Sequence, residues 1–210
     1  LGGKNEIGGN KVLLQHKQTK VLLDFGLSFD TYKKYFAEFL QPRKCNAFLD
    51  FIEFNLLPKM EGIYRKDYCL HCGIAFPKNP AVDSILISHA HIDHAGLIHF
   101  LREDIPIYCS EETFLILKAL EETSTRSFMD LINLSLDFHF TLTKKGKYKR
   151  LEGEEAKIER NFVIMRPYEK YEIGDIVVQL IPVDHSLPGA SGFIIYTDEG
   201  NIGYTGDFRF

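Results

Sequence analysis

Two short apolar-rich runs, residues 11–16 and 21–25, flank a polar stretch at 17–20, a pattern that predicts a β-hairpin. The second run closes on Asp24-Phe25-Gly26, so a carboxylate leaves a strand just as the chain turns. Over residues 30–57 the periodicity changes. Tyr32, Tyr35, Phe36, Phe39 and Leu40 fall at helical spacing until Pro42, and Phe48, Leu49, Ile52 and Leu56 repeat it until Pro58. Residues 58–80 carry Pro58, Gly62, Gly73, Pro77 and Pro80, which predicts an irregular connection. Residues 81–88 are an apolar, β-branched run, predicted as a buried strand, and they lead directly into a group of histidines. Helix is expected over 95–102, strand over 105–109, and helix over 111–122, whose acidic start suits the helix dipole. From 136 onward strands dominate: 137–143, 161–166, 176–183, 192–197 and 201–205. Strands with interspersed helices place the chain in the α/β (α+β) class, as sheets flanked by helices.

Composition narrows this picture only slightly. The 210 residues are 45% hydrophobic with a net charge of −4, which fits one globular domain over 1–210, or most of a larger one. No apolar run is long enough to cross a bilayer, and no signal-peptide pattern is visible. Cys45, Cys69, Cys72 and Cys109 are too few and too unevenly spaced for a disulfide framework. A soluble, cytoplasmic protein without a membrane partner is expected. The mild acidity argues against a broad nucleic-acid-binding surface. Lys144, Lys145, Lys147, Lys149 and Arg150 crowd one stretch, read as a solvated hairpin or loop, with a phosphate-backbone contact as the alternative.

The chemistry lies in Ser88-His89-Ala90-His91-Ile92-Asp93-His94. His89 and His91 are two apart and share one side of an extended chain. Asp93 and His94 follow where strand gives way to helix, so they can turn toward a neighbouring point. Imidazole and carboxylate together suit Zn²⁺, with Mn²⁺ or Fe²⁺ as alternatives.

This segment resembles the HxHxDH motif of the metallo-β-lactamase superfamily, whose fold is an αββα sandwich. Asp24 stands where the family's first conserved aspartate ends a strand. His185, in His185-Ser186-Leu187-Pro188-Gly189-Ala190, stands at its next metal histidine. Asp207, in Thr205-Gly206-Asp207-Phe208, stands at its bridging aspartate. The resemblance implies that His89, His91 and His185 hold one metal, that Asp93 and His94 hold a second, and that Asp207 bridges both. It gives Asp93, Asp207 and His185 catalytic roles, and has Asp24 accept a hydrogen bond from a ligand histidine and fix its tautomer. Ser186 is expected to touch substrate. Two cations, roughly 3.5–4 Å apart in such sites, would activate a hydroxide for attack on phosphorus and hold the phosphoryl oxygens.

Two flanks narrow the branch. Residues 1–10, with Gly2-Gly3, Glu6-Ile7-Gly8 and Asn10, resemble the GGxxEIGxN opening of ribonuclease J-like proteins. The segments at 185–190 and 205–209 resemble those of the β-CASP nucleases. For the glycine pairs, plain turn flexibility remains an equal alternative. The resemblance implies an RNA phosphodiesterase with exo- and endonuclease activities. In β-CASP enzymes the inserted β-CASP domain begins near the position of Phe210, and a later return of the chain supplies a further metal histidine. The expectation is therefore the front portion of a longer enzyme: a sandwich incomplete at its C-terminus, weakly active or inactive alone, with an edge that invites a homodimer. The segment 29–80 departs from the family in bulk. Its Cys69-x-x-Cys72 pair, with His71 or Cys45, offers half of a zinc knuckle or else an ordinary structural loop. The competing functions are a small-molecule ester or thioester hydrolase on the same fold, and a non-catalytic RNA-binding subunit.

Overall fold

The computed structural model describes residues 1–43, 46–124 and 130–209. Among the described residues, eleven strands and five helices run in the order β1 (Val12–His16), β2 (Thr19–Leu23), α1 (Phe29–Tyr35), α2 (Ala47–Glu53), α3 (Lys66–Cys72), β3 (Ser84–Leu86), α4 (Ile92–Ala95), β4 (Ile107–Cys109), α5 (Glu111–Thr123), β5 (Asn133–Leu142), β6 (Tyr148–Glu159), β7 (Phe162–Ile164), β8 (Lys170–Ile173), β9 (Ile176–Pro182), β10 (Ser191–Thr197) and β11 (Gly200–Tyr204). One sheet has the order β1-β2-β3-β4-β7, with an antiparallel hairpin at β1-β2 and parallel pairs beyond it. The second, β11-β10-β9-β8, is antiparallel throughout. β5 and β6 form a separate two-stranded ribbon.

The period-2 alternation of the strands divides the core in two. Val21, Leu23 and Leu86 point from the first sheet toward Ile176, Val178, Leu180, Phe193 and Ile195 of the second. The intervening Leu22, Ile85 and Ile107 face the other way, onto Phe25, Phe48, Leu57 and Phe100. This is a mixed α/β sandwich with helices over the outer face of the first sheet. The parallel strands β2 and β3 both end at one edge, and the residues that follow them, Asp24 and His89, meet there. Such carboxyl-end edges are the usual place for a site in α/β sheets.

Several local expectations change. Residues 95–102 are not one helix: α4 covers only Ile92–Ala95, and Ile98–Phe100 form a single 3₁₀ turn. Leu97, Ile98, Phe100 and Leu101 are all buried, so the segment has no polar face for a surface helix. The expected loop around Cys69 contains α3, because its breakers fall outside 66–72 and Gly73, at φ 66°, caps the helix end. Cys69 is buried and Cys72 half-buried there, and burial pushes both thiols up to about 11. Cys45 lies outside the described residues. The helical stretch at 30–57 resolves into the short α1 and α2. The lysine-rich run is the turn of the β5–β6 hairpin, as the solvated-hairpin reading has it. Its second strand, and the short edge strand β8, carry too many charges to show in the apolar pattern.

Candidate metal centre

At Asp24 the backbone takes φ 58°, a left-handed conformation that aspartate tolerates better than most residues, and the side chain is fully buried. Its Oδ1 accepts from the Ser88 amide at 2.7 Å. Its Oδ2 accepts from the Ser88 hydroxyl at 2.8 Å, from His94 Nδ1 at 2.7 Å and from the Tyr204 hydroxyl at 2.6 Å. Tyr204 sits on β11 opposite Phe193, so its ring lies on the inner face of the second sheet and its hydroxyl crosses to the first. Ser88 gives its proton to Asp24 and can then accept from His89 Nδ1, 3.0 Å away. His89 and His94 thus each commit Nδ1 to the interior and turn Nε2 toward the cleft.

The cleft-facing nitrogens converge. His89 Nε2 is 2.9 Å from His91 Nδ1, and His185 Nε2 is 3.2 Å from the same atom. His94 Nε2 lies 3.3 Å from Asp207 Oδ1 and 3.7 Å from Asp93 Oδ2, and Asp207 Oδ2 is 3.8 Å from His185 Nε2. Two overlapping groups of ligand atoms result, each within 4.8 Å: His89, His91 and His185, and His89, His94 and Asp207. Asp93 stands at the margin of the second group, and Asp207 lies between the two. Ser186, exposed, stands 3.3 Å from His91 Nε2 and can hold that ring in place.

The residues fit a cation chemically. Three imidazole lone pairs cannot crowd one point at these distances without a proton or a cation between them. Burial, reinforced by its histidine neighbours, holds the His89 ring down to about 3, so protons are not the natural solution. Burial also opposes the charged form of His94, but the Asp24 hydrogen bond and the charges of Asp24, Asp207 and Asp93 outweigh it and raise that ring's pKa. The Nδ1 of His185 is buried without a hydrogen-bond partner among the described residues, so that side chain is placed for its other nitrogen. Imidazole and carboxylate donors together suit a borderline divalent ion.

The N-terminal loop is built onto this centre. Gly8, at φ 75°, brings its backbone against Asp93, where a Cβ would lie 2.5 Å from that residue's Cβ. The Asn10 amide group lies 3.1 Å from His94 Nε2, and the Asn10 backbone amide donates to the Asp93 carbonyl. Glu6 accepts from the Gly3 amide at 3.0 Å and from the Ser28 and Thr31 hydroxyls, fixing the loop's shape. On the far side the Arg209 amide donates to the Asp184 carbonyl, which ties the Asp207 loop to the His185 loop. Ser88, Asn10 and Tyr204 carry no site role in the sequence pattern alone. Tyr204 lies 180 residues from its carboxylate partner, and only strand pairing brings them together.

Residues 77–210 match the metallo-beta-lactamase superfamily model. The chain belongs to that superfamily. Among curated proteins it is similar to ribonucleases J: it is 25% identical over its whole length to ribonuclease J 2 of Streptococcus pyogenes, and 22% identical to ribonuclease J of Pyrococcus abyssi. It spans 28% and 37% of those two proteins respectively. A transcription termination factor of Methanocaldococcus jannaschii is 24% identical, with the chain spanning 27% of it. Among solved structures, a protein of unknown function from Enterococcus faecalis superposes with a TM-score of 0.69 at 25% identity, over 97% of this chain and 41% of its own. Among the described residues no helix is long and apolar enough to cross a membrane.

Proposed function

We propose that this chain carries the metal centre of a ribonuclease that cleaves RNA phosphodiesters in the manner of ribonuclease J. The observation that supports it best is the convergence of His89, His91, His185, His94 and Asp207 on adjoining points beside an N-terminal loop of ribonuclease J-like sequence. His89, His91 and His185 would hold one cation, His94 and Asp93 the other, and Asp207 would reach both; Zn²⁺ or Mn²⁺ fits these donors. When bound, such ions supply Lewis acidity and positive charge to a phosphodiester, whose transition state gains negative charge. The chain's own residues do the rest. Asp24 keeps the His94 proton on Nδ1 and so leaves Nε2 as a lone pair. Ser88 does the same for His89, and Ser186 steadies His91 at the open side, where substrate would pass. Asp93, Asp207 and His185 are the groups nearest the reacting phosphate in this reading. Ser186 is exposed and His91, His185 and Asp207 are half-buried, which leaves this side of the centre reachable by a polymeric substrate, and a cytoplasmic setting belongs to the same reading.

The test is metal content by plasma mass spectrometry, beside cleavage of a labelled single-stranded RNA with added Zn²⁺ or Mn²⁺. About two ions per chain, lost together with cleavage in His91→Ala, is the expected result. Thioester hydrolysis without RNA cleavage, from a chain that holds its metal, would overturn the nuclease reading.

A further inference from the structure

Away from the metal centre, the hairpin β5–β6 packs against α3 through β5, and an open cavity of about 690 Å³ lies along this seam. Strand pairing sets Phe140 opposite Arg150 and Leu142 opposite Tyr148, on the same face as Phe138. That face looks at α3. Tyr68 meets Phe138 edge-on at 4.8 Å, His71 lies over Phe140 at 3.7 Å, and Tyr148 stands edge-on to His71 at 6.3 Å. The Arg150 guanidinium covers the Phe138 ring at 4.2 Å. Rings therefore make up much of the wall, with Lys66, Asp67 and Leu70 of α3 beside them, and Tyr148 is 62% exposed at the mouth.

Beside this mouth is the hairpin turn. Lys144, Lys145, Lys147 and Lys149 are all exposed, and none of the four makes an ion pair with a described residue. On a chain of net charge −4, that is a strong local concentration of exposed cation. Ring-lined cavities accept flat heterocycles of any sequence, and flexible lysines accept a phosphate chain. Asp137, also on the cavity wall, repels a phosphate but accepts from the amino group of a base. The two halves of the site thus want the two halves of a nucleotide.

We infer that the cavity between α3 and the β5–β6 hairpin is a docking site for single-stranded RNA, separate from the metal centre, in which an unpaired base enters beside His71, Phe140 and Tyr148 while the turn lysines take the neighbouring phosphates. The choice of RNA rests on the proposed nuclease reading. A paired strand does not fit, because its bases are stacked and turned inward. The site gives the enzyme a hold on its substrate outside the cleavage cleft, so the strand is retained between encounters with the metal.

The experiment is fluorescence anisotropy of a short labelled single-stranded RNA with the full chain stripped of metal by chelation, at low and high salt. Because no cleavage is involved, failure of the nuclease reading and failure of this one are separable. All the altered side chains are exposed, and each variant's thermal unfolding is compared with that of the parent. Replacing the four lysines by serine is expected to lower the log–log salt slope by about 3, at about 0.7 for each phosphate that is no longer neutralised. Tyr148→Ala is expected to weaken binding about tenfold at fixed salt, with little change in slope. Lys33→Ser with Lys118→Ser, on α1 and α5, is expected to leave both quantities alone. The inference fails if the lysine and Tyr148 variants bind within about twofold of the parent. It fails equally if an acidic peptide of matched charge competes as well as RNA and Tyr148→Ala is silent, which marks a bare anion patch.

Discussion

Replacing Asp24 by Asn tests the logic of the metal centre with the smallest change of shape. Asparagine tolerates the left-handed backbone at this position, so strain does not confound the result. Oδ1 survives and keeps the Ser88 amide. The amide NH₂ then faces three donors, from Ser88, His94 and Tyr204. The two hydroxyls can rotate and accept instead, but the His94 Nδ1–H cannot. Either it stays buried against an NH₂, or the ring moves its proton to Nε2, where a cation needs the lone pair. A hydrogen bond to a charged group contributes about 1.5–3 kcal/mol, so the metal-free variant should lose about 2 kcal/mol. For a chain of this size that is a fall of roughly 4–8 °C in Tm. Metal affinity should fall a further ~10–100-fold, as for other outer partners of ligand histidines. The assays are thermal unfolding in chelator and a competitive zinc titration. A variant that keeps both Tm and zinc affinity would refute the tautomer argument, and an affinity loss without any change in metal-free Tm would refute the stability estimate.

Three other perturbations probe the support of the site. A Cβ at Gly26 would lie 1.5 Å from the Asp93 carbonyl oxygen, so Gly26→Ala must push the Asp93–His94 turn away; a loss of about 3 kcal/mol or more in urea unfolding is expected, together with loss of metal, and a stable, metal-loaded Ala variant would refute the contact. His99 is held neutral to about pH 3, first by burial and then by Arg160 and Arg65. The unfolded chain takes up this proton near pH 6.5 and the folded one does not, so stability falls as pH drops from about 6.5 to about 3, by up to about 1.4 kcal/mol per pH unit. His99→Gln should flatten that slope relative to the parent, and parallel curves would show that His99 is not responsible. Arg160 donates to the carbonyls of Leu101, His99 and Asp130 from a buried position, and only the His99 carbonyl has a second donor, Arg65, so Arg160→Met should cost about 2 kcal/mol by stranding the other two; an unchanged denaturation midpoint would contradict this.

The candidate ligands of the metal centre are visible in the sequence, whereas most of what holds them in place is not, and the reason is chemical. A cation demands particular atoms, so His89, His91, His94, His185 and Asp207 stand out wherever they fall, and in this chain they follow strands whose alternation ends just before them. The supporting groups need only a proton, a lone pair or a missing Cβ. Ser88, Tyr204, Asn10 and Gly26 supply those, and they are ordinary residues whose partners lie far away along the chain. The same contrast runs through the fold. β2 and β3 bury alternate residues on two faces and could be recognised, but the charges of β6 and β8 mask the period. α3 hides between breakers that cap it instead of excluding it. The residues hardest to see are those defined by contact, and contact is where the Asp24 network and the ring-lined cavity both lie: each joins segments that no single stretch of sequence relates. The parts of this protein that hold the candidate ligands in place are therefore the parts that only the folded chain displays.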